Sequence, residues 1–144
     1  MEHIAILNKN LKLLEKIISG NKTIESRWYK SKKRPYKNIK KGDIVYFKNS
    51  GEPVTIKTIV EKVLFFNNLN KSKIKNILQK YGNQIGLDNS YINNLINKKY
   101  CTLIFLKDVK KINPFNIDKK GYGLMSAWIS IYDINKIKIK SSST

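Results

Sequence analysis

Lys22, Glu25 and Arg27 lie close together in one short segment, and their types are those that handle charge. In an extended strand the side chains alternate, so Glu25 and Arg27 share one face while Lys22 falls with Ile24 and Ser26 on the other. A carboxylate beside a guanidinium holds the Arg fork in place for a phosphate or a base edge. Lys22 follows directly on Gly20-Asn21, a position from which a side chain reaches a cleft. Lys22 and Glu25 are also the candidates for catalysis. Glu25 would act as base and the two cations would stabilise negative charge developing on a phosphorane. A lysine beside Glu25 lowers its pKa and weakens it as a base, so the same residues suit binding at least as well.

The basic residues thicken just beyond. Trp28, Tyr29 and Tyr36 are interleaved with Lys30, Lys32, Lys33, Arg34, Lys37, Lys40 and Lys41. Cations hold phosphates and rings stack on exposed bases, which is what a single strand needs. Arg27 and Arg34 are the two arginines of a chain that otherwise uses lysine. Their placement here suggests that a planar, multi-donor fork is wanted. A second segment, 113–129, carries Pro114, Phe115, Gly121, Tyr122, Gly123, Met125 and Trp128. Two glycines around a tyrosine let backbone approach a ligand. Tyr122 or Trp128 is expected to stack on a base from the opposite wall, with core packing the stronger expectation for Phe115 and Trp128. The candidate ligand-binding set is Lys22, Glu25, Arg27, Trp28, Tyr29, Lys33, Arg34, Tyr122 and Trp128.

Other chemistries find little footing. His3 is the lone histidine and has no cysteine or histidine partner at metal-ligand spacing, so no metal site is expected. No Ser-His-Asp or Cys-His arrangement is read from the sequence. No Gly-rich phosphate loop is present, and no cofactor is expected. Cys101 sits in an apolar run and reads as a buried, inert thiol of a reducing compartment.

The chain has 144 residues, 29 basic and 10 acidic, for a formal charge of +19. The length is that of one domain able to bury a core. The charge favours a polyanionic partner, although a composition rich in Lys, Asn and Ile accounts for part of the surplus. No apolar stretch approaches the roughly 18–20 residues of a membrane span. The N-terminus lacks the layout of a signal peptide. A cytoplasmic protein with no membrane partner is expected, and the sequence carries no signal for oligomeric state.

The elements that must position these residues follow from periodicity and turn chemistry. A strand is predicted over 3–7, then a helix over 11–19 capped by Asn8 or Asn10 and closed by Gly20. Strands are predicted over 22–27, 44–48 and 54–66, the last two joined by a turn containing Gly51 and Pro53. Helices are predicted over 70–80, ended by Tyr81-Gly82, and over 88–97. A strand over 100–109, a loop over 113–123, a short strand over 127–131 and an edge strand over 133–140 complete the chain. No repeat or linker divides it. Residues 1–140 read as a single domain and 141–144 as a frayed tail.

Ser19-Gly20-Asn21-Lys22-Thr23-Ile24-Glu25-Ser26-Arg27 reads as G-x-K-x-x-E-x-R after an amphipathic helix, and Lys41-Gly42-Asp43-Ile44-Val45-Tyr46-Phe47 follows the basic loop. This pattern resembles the ASCH domain of the PUA-like superfamily, most closely over residues 3–66. The resemblance implies an α+β fold, a PUA-like small β-barrel with flanking helices and a cleft beside the first helix. It also implies an RNA-related function, with some relatives reading modified bases and others hydrolysing. Relatives that remove acetyl from a modified cytidine use a Lys, a Thr three positions later and a Glu on the late helix. This chain keeps Lys22, has Glu25 where that Thr would stand, and has no carboxylate among residues 91–97. That activity is not carried over. The reading is a module that binds nucleic acid, with single-stranded RNA or a modified nucleotide expected. A hydrolase acting on RNA or a modified nucleoside is the alternative, and a small-ligand or protein-interaction domain the third possibility.

Overall fold

The computed structural model describes residues 1–140; the tail expected over 141–144 lies outside them. Six strands form one mixed sheet in the order β2-β5-β4-β3-β1-β6. They are β1 (Glu2–Leu7), β2 (Ile24–Tyr29), β3 (Ile44–Asn49), β4 (Val54–Phe66), β5 (Tyr100–Phe115) and β6 (Trp128–Ile131). β1 runs parallel to β3 and antiparallel to β6, and the remaining neighbours are antiparallel. Every residue of β1 from His3 to Leu7 is buried. Such a strand is covered on both faces, which is why it reads as an unbroken apolar run.

The α+β fold is as expected, and the small β-barrel implied by the resemblance takes the form of an open half-barrel. β2 and β6 end the sheet on opposite sides and do not pair. Register shifts in β4 and β5 bend the sheet round its inner core, where Ala5, Leu7, Ile17, Phe47, Val60 and Ile104 pack. The gap between its edges remains open.

A helix covers part of the outer face. Helix α2 (Lys71–Ile85) is capped by Asn70, whose side chain accepts from the Lys73 N–H at 2.9 Å. Its Ile74, Ile77, Leu78 and Ile85 cover Ile24, Cys101 and Leu103. The expected stop at Tyr81-Gly82 is corrected. The helix continues to Ile85 and ends on Gly86, at φ +87°. Gly82 is present for space, since a Cβ there would lie 2.5 Å from the Leu87 carbonyl oxygen. Burial pushes the Cys101 thiol well above its ordinary pKa, as expected of an inert cysteine.

Four other segments differ from expectation. The first helix splits into a 3-10 turn, Lys9–Leu11, and α1 (Leu13–Ile18), broken at Lys12 by a positive φ. Asn8 caps the turn, and only Ile17 of the apolar stripe is fully buried. The second late helix shrinks to a 3-10 turn capped by Asp88 and a single turn, α3 (Ile92–Leu95). The expected edge strand over 133–140 is a 3-10 turn, Ile134–Lys136, with one isolated bridge between Lys138 and Ile117. Its isoleucines bury at 134 and 137, a three-residue spacing, against the outer face of β1 and β6. Part of the loop expected over 113–123 is strand, because β5 continues to Phe115. Among the described residues no helix is long and apolar enough to cross a membrane.

Candidate functional site

The gap between the sheet edges is a cleft of about 400 Å³. β2 lines one side, the end of β1 and α1 the other, and the connection from α2 to α3 closes it. Gly20, at φ +83°, ends α1 and reverses the chain. The Lys22 N–H then donates to the Lys16 carbonyl and the Thr23 N–H to the Gln84 carbonyl, each at 2.9 Å. This turn sends the Lys22 side chain inward to the cleft floor.

There Lys22 and Glu25, each 3% exposed, meet at 3.2 Å. The expectation that alternation would place them on opposite faces is corrected, because β2 begins only at Ile24 and Lys22 precedes it. The Lys22 ammonium also donates to the carbonyls of Ile24 (2.7 Å) and Ile85 (2.6 Å). Its three donors are thereby used. The other carboxylate oxygen, Oε2, accepts from Arg27 Nε at 3.1 Å and Nη2 at 2.8 Å. Arg27 donates further from Nη1 to the Ala127 carbonyl (3.2 Å) and from Nη2 to the Ile6 carbonyl (3.3 Å). One residue of edge strand β2 thus ties itself to β1 and to the segment entering β6. Among the described residues, one N–H of Arg27 Nη1 has no partner.

Burial raises the Glu25 pKa, but Lys22 and Arg27 outweigh it and hold the carboxyl below its ordinary value. Burial lowers the Lys22 pKa, with Glu25 offsetting part of the effect. Two cations and one carboxylate leave the floor with one surplus positive charge. The half-buried Trp28, Tyr29 and Tyr91 also line the cleft, Trp28 and Tyr91 packing against the outer core, and Lys16 and Lys98 complete the lining. The arrangement can enclose a flat, apolar-faced group, offer it an Arg N–H and a carboxylate oxygen, and meet an anion outside.

No family model and no curated protein matches the chain. Solved structures do match it. The ASCH protein from Zymomonas mobilis superposes with a TM-score of 0.65 at 17% identity, over 90% of this chain and 87% of that one. Two single-substitution variants of that protein give 0.69 at 16% identity (94% and 93% covered) and 0.67 at 16% (94% and 91%). The chain has the ASCH fold. The resemblance drawn from residues 19–27 and 41–47 thus holds in the architecture of the whole domain.

Within this ASCH fold the cleft brings together five of the sequence candidates: Lys22, Glu25, Arg27, Trp28 and Tyr29. The others lie elsewhere. Lys33 sits on the exposed face of the basic loop, its ammonium 5.9 Å above the Tyr29 ring. Arg34 is exposed and does not line the cleft. Tyr36 of the same loop is held edge-on between Phe65 and Tyr100, so its ring is structural. Tyr122 is on an outer turn and does not line the cleft. Trp128, a ligand-binding candidate for which core packing is the stronger expectation, is a core residue and not a stacking surface. It is buried beneath the Arg27 guanidinium, 5.2 Å away, as core packing demands. From that segment it is Ala127 that reaches the cleft.

Sequence reasoning missed Lys16, Tyr91 and Lys98 as cleft residues. Tyr91 reads as part of a buried stripe and the lysines as two among many, so no local signal marks them. It also missed a Ser-His-Asp arrangement. His3 Nε2 donates to Asp43 at 2.9 Å, and its Nδ1 lies 2.8 Å from the Ser130 hydroxyl. With Nε2 carrying the proton, Nδ1 accepts from Ser130. The Trp128 indole N–H reaches Ser130 at 3.2 Å. Burial lowers the His3 pKa, against the pull of Asp43. None of these groups lines the cleft, and His3, Asp43 and Ser130 are all buried. Its positions, 3, 43 and 130, are too far apart in sequence to show a pattern.

Proposed function

We propose that the protein binds single-stranded RNA by taking one nucleotide into the cleft, its base against the aromatic part of the lining and its phosphate at Lys16 and Lys98. The observation that carries this reading is the buried Lys22–Glu25–Arg27 cluster at the floor of a cleft whose lining includes aromatic rings and two further lysines. A volume near the lower end of small-ligand sites suits one splayed nucleotide rather than a duplex. Glu25 would accept from a base amino group and the unpartnered Arg27 N–H would donate to a ring nitrogen or carbonyl. The +19 charge supplies a long-range attraction for the rest of the strand.

The hydrolase alternative asks Glu25 to take a proton. Its carboxylate accepts from both neighbouring cations and its pKa is lowered, which makes it a poor base. That observation favours binding.

Fluorescence polarisation with a short single-stranded RNA across a salt series, followed by a gel of the same samples, tests both. Salt-sensitive binding of intact RNA is expected. Lys16→Ala and Lys98→Ala should each reduce the log–log salt slope by about one. Cleaved RNA would install the hydrolase reading, provided that purified Glu25→Gln leaves the RNA whole. Absence of binding at low salt would overturn the proposal.

A further inference from the structure

Beyond the Arg27 clamp lies a second, open hollow of about 570 Å³. Ile6, Leu7, Asn8 and Ala127 line both it and the cleft, so the two adjoin. Its outer wall is the turn over 121–126. At the tip of that turn Leu124 is 77% exposed and Met125 is 96% exposed. Two adjacent large apolar side chains this far in water, on a surface rich in lysine, mark a contact site.

The turn is tied in place. The Lys119 ammonium donates to the carbonyls of Leu124 (2.6 Å) and Ser126 (2.9 Å), and the Ser126 N–H donates to the Gly123 carbonyl (3.1 Å). Gly121 and Gly123, both at φ +88°, supply the left-handed corners. The tip is therefore a held platform rather than a fraying end. The Lys119 ammonium lies beneath it, and Lys9, whose ammonium is 3.6 Å from the Glu52 carboxylate, also lines the hollow.

We propose that this hollow is a second nucleotide subsite. In it the base next to the cleft-bound nucleotide lies against Leu124 and Met125, and its phosphate sits between Lys9 and Lys119. The inference rests on the cleft reading above. Adjacency to the cleft and the flanking cations select a neighbouring nucleotide over an apolar protein segment. An apolar platform flanked by cations serves any base, so the subsite adds affinity rather than sequence choice.

The test uses the full chain and its Leu124→Ser/Met125→Ser variant, both titrated calorimetrically with a 5′-phosphorylated mononucleotide and dinucleotide. Both side chains face solvent, and unchanged thermal melting would show that the variant is folded. The native protein should bind the dinucleotide about tenfold more tightly than the mononucleotide. The variant should lose most of that gain while keeping its mononucleotide affinity. A gain preserved in the variant, or no gain in the native protein, overturns the subsite and leaves the cleft standing. Failure of the native protein to bind the mononucleotide overturns the cleft reading, and the subsite falls with it.

Discussion

Arg27 closes on a single oxygen of Glu25 through two nitrogens, at 3.1 and 2.8 Å, while two further N–H groups cross to Ile6 and Ala127. One guanidinium therefore joins the two free edges of the half-barrel and shapes the cleft floor. A lysine cannot reproduce a planar fork with donors in several directions. Arg27→Lys should cost about 2 kcal/mol in urea denaturation and weaken RNA binding together. An unchanged unfolding midpoint would show that the clamp is dispensable.

Lys22→Met should act through stability. Each ammonium proton of Lys22 already has an acceptor within the protein, and removal strips Glu25 of one cation and orphans the carbonyls of Ile24 and Ile85. Breaking a buried pair from one side costs about 3–5 kcal/mol. Chemical denaturation measures this directly. Binding by the fraction still folded should change less than for Arg27→Lys, because Lys22 has no donor left to give a ligand.

Gly82→Ala tests why a glycine sits inside α2. Helix propensity alone would stabilise alanine by about 1 kcal/mol. The new Cβ would come within 2.5 Å of the Leu87 backbone oxygen, and that oxygen belongs to the turn leading to Tyr91. The expected result is a lower melting temperature, the opposite of what propensity predicts.

Acid should loosen the fold in two stages, the first through His3. Its folded pKa lies below 6.5 chiefly because it is buried. Below pH 6.5 the unfolded chain binds the proton first, so stability is whole above that pH and falls as pH drops toward the folded value. Asp43 and Glu25, both held below their ordinary values, add losses at lower pH as the unfolded carboxylates protonate. Urea midpoints measured between pH 7.5 and 5 should decline in the native protein. They should decline less in His3→Gln, which removes the first titration.

Much of the fold was legible because its signals are local. The run after Gly51-Glu52-Pro53 alternates buried and half-buried along β4, and Asn70 and Asp88 cap where short polar side chains should. The failures had tertiary causes. Gly82 reads as a helix stop until Leu87 is placed against it, and Ile134 and Ile137 fit a strand until the outer face of β1 is there to receive them.

For the site, the residue string alone determined that Glu25 and Arg27 share a face and that a turn at Gly20 delivers Lys22 nearby, because strand alternation and a left-handed glycine depend only on adjacent residues. Folding alone decided that Lys22 meets Glu25, that Trp128 lies under Arg27 rather than in the cleft, and that Tyr91 and Lys98 complete its wall. Those contacts join residues far apart in the chain. Their distances follow from how an open sheet curves and what packs across its edges, a property of the assembled whole that no local window of sequence contains.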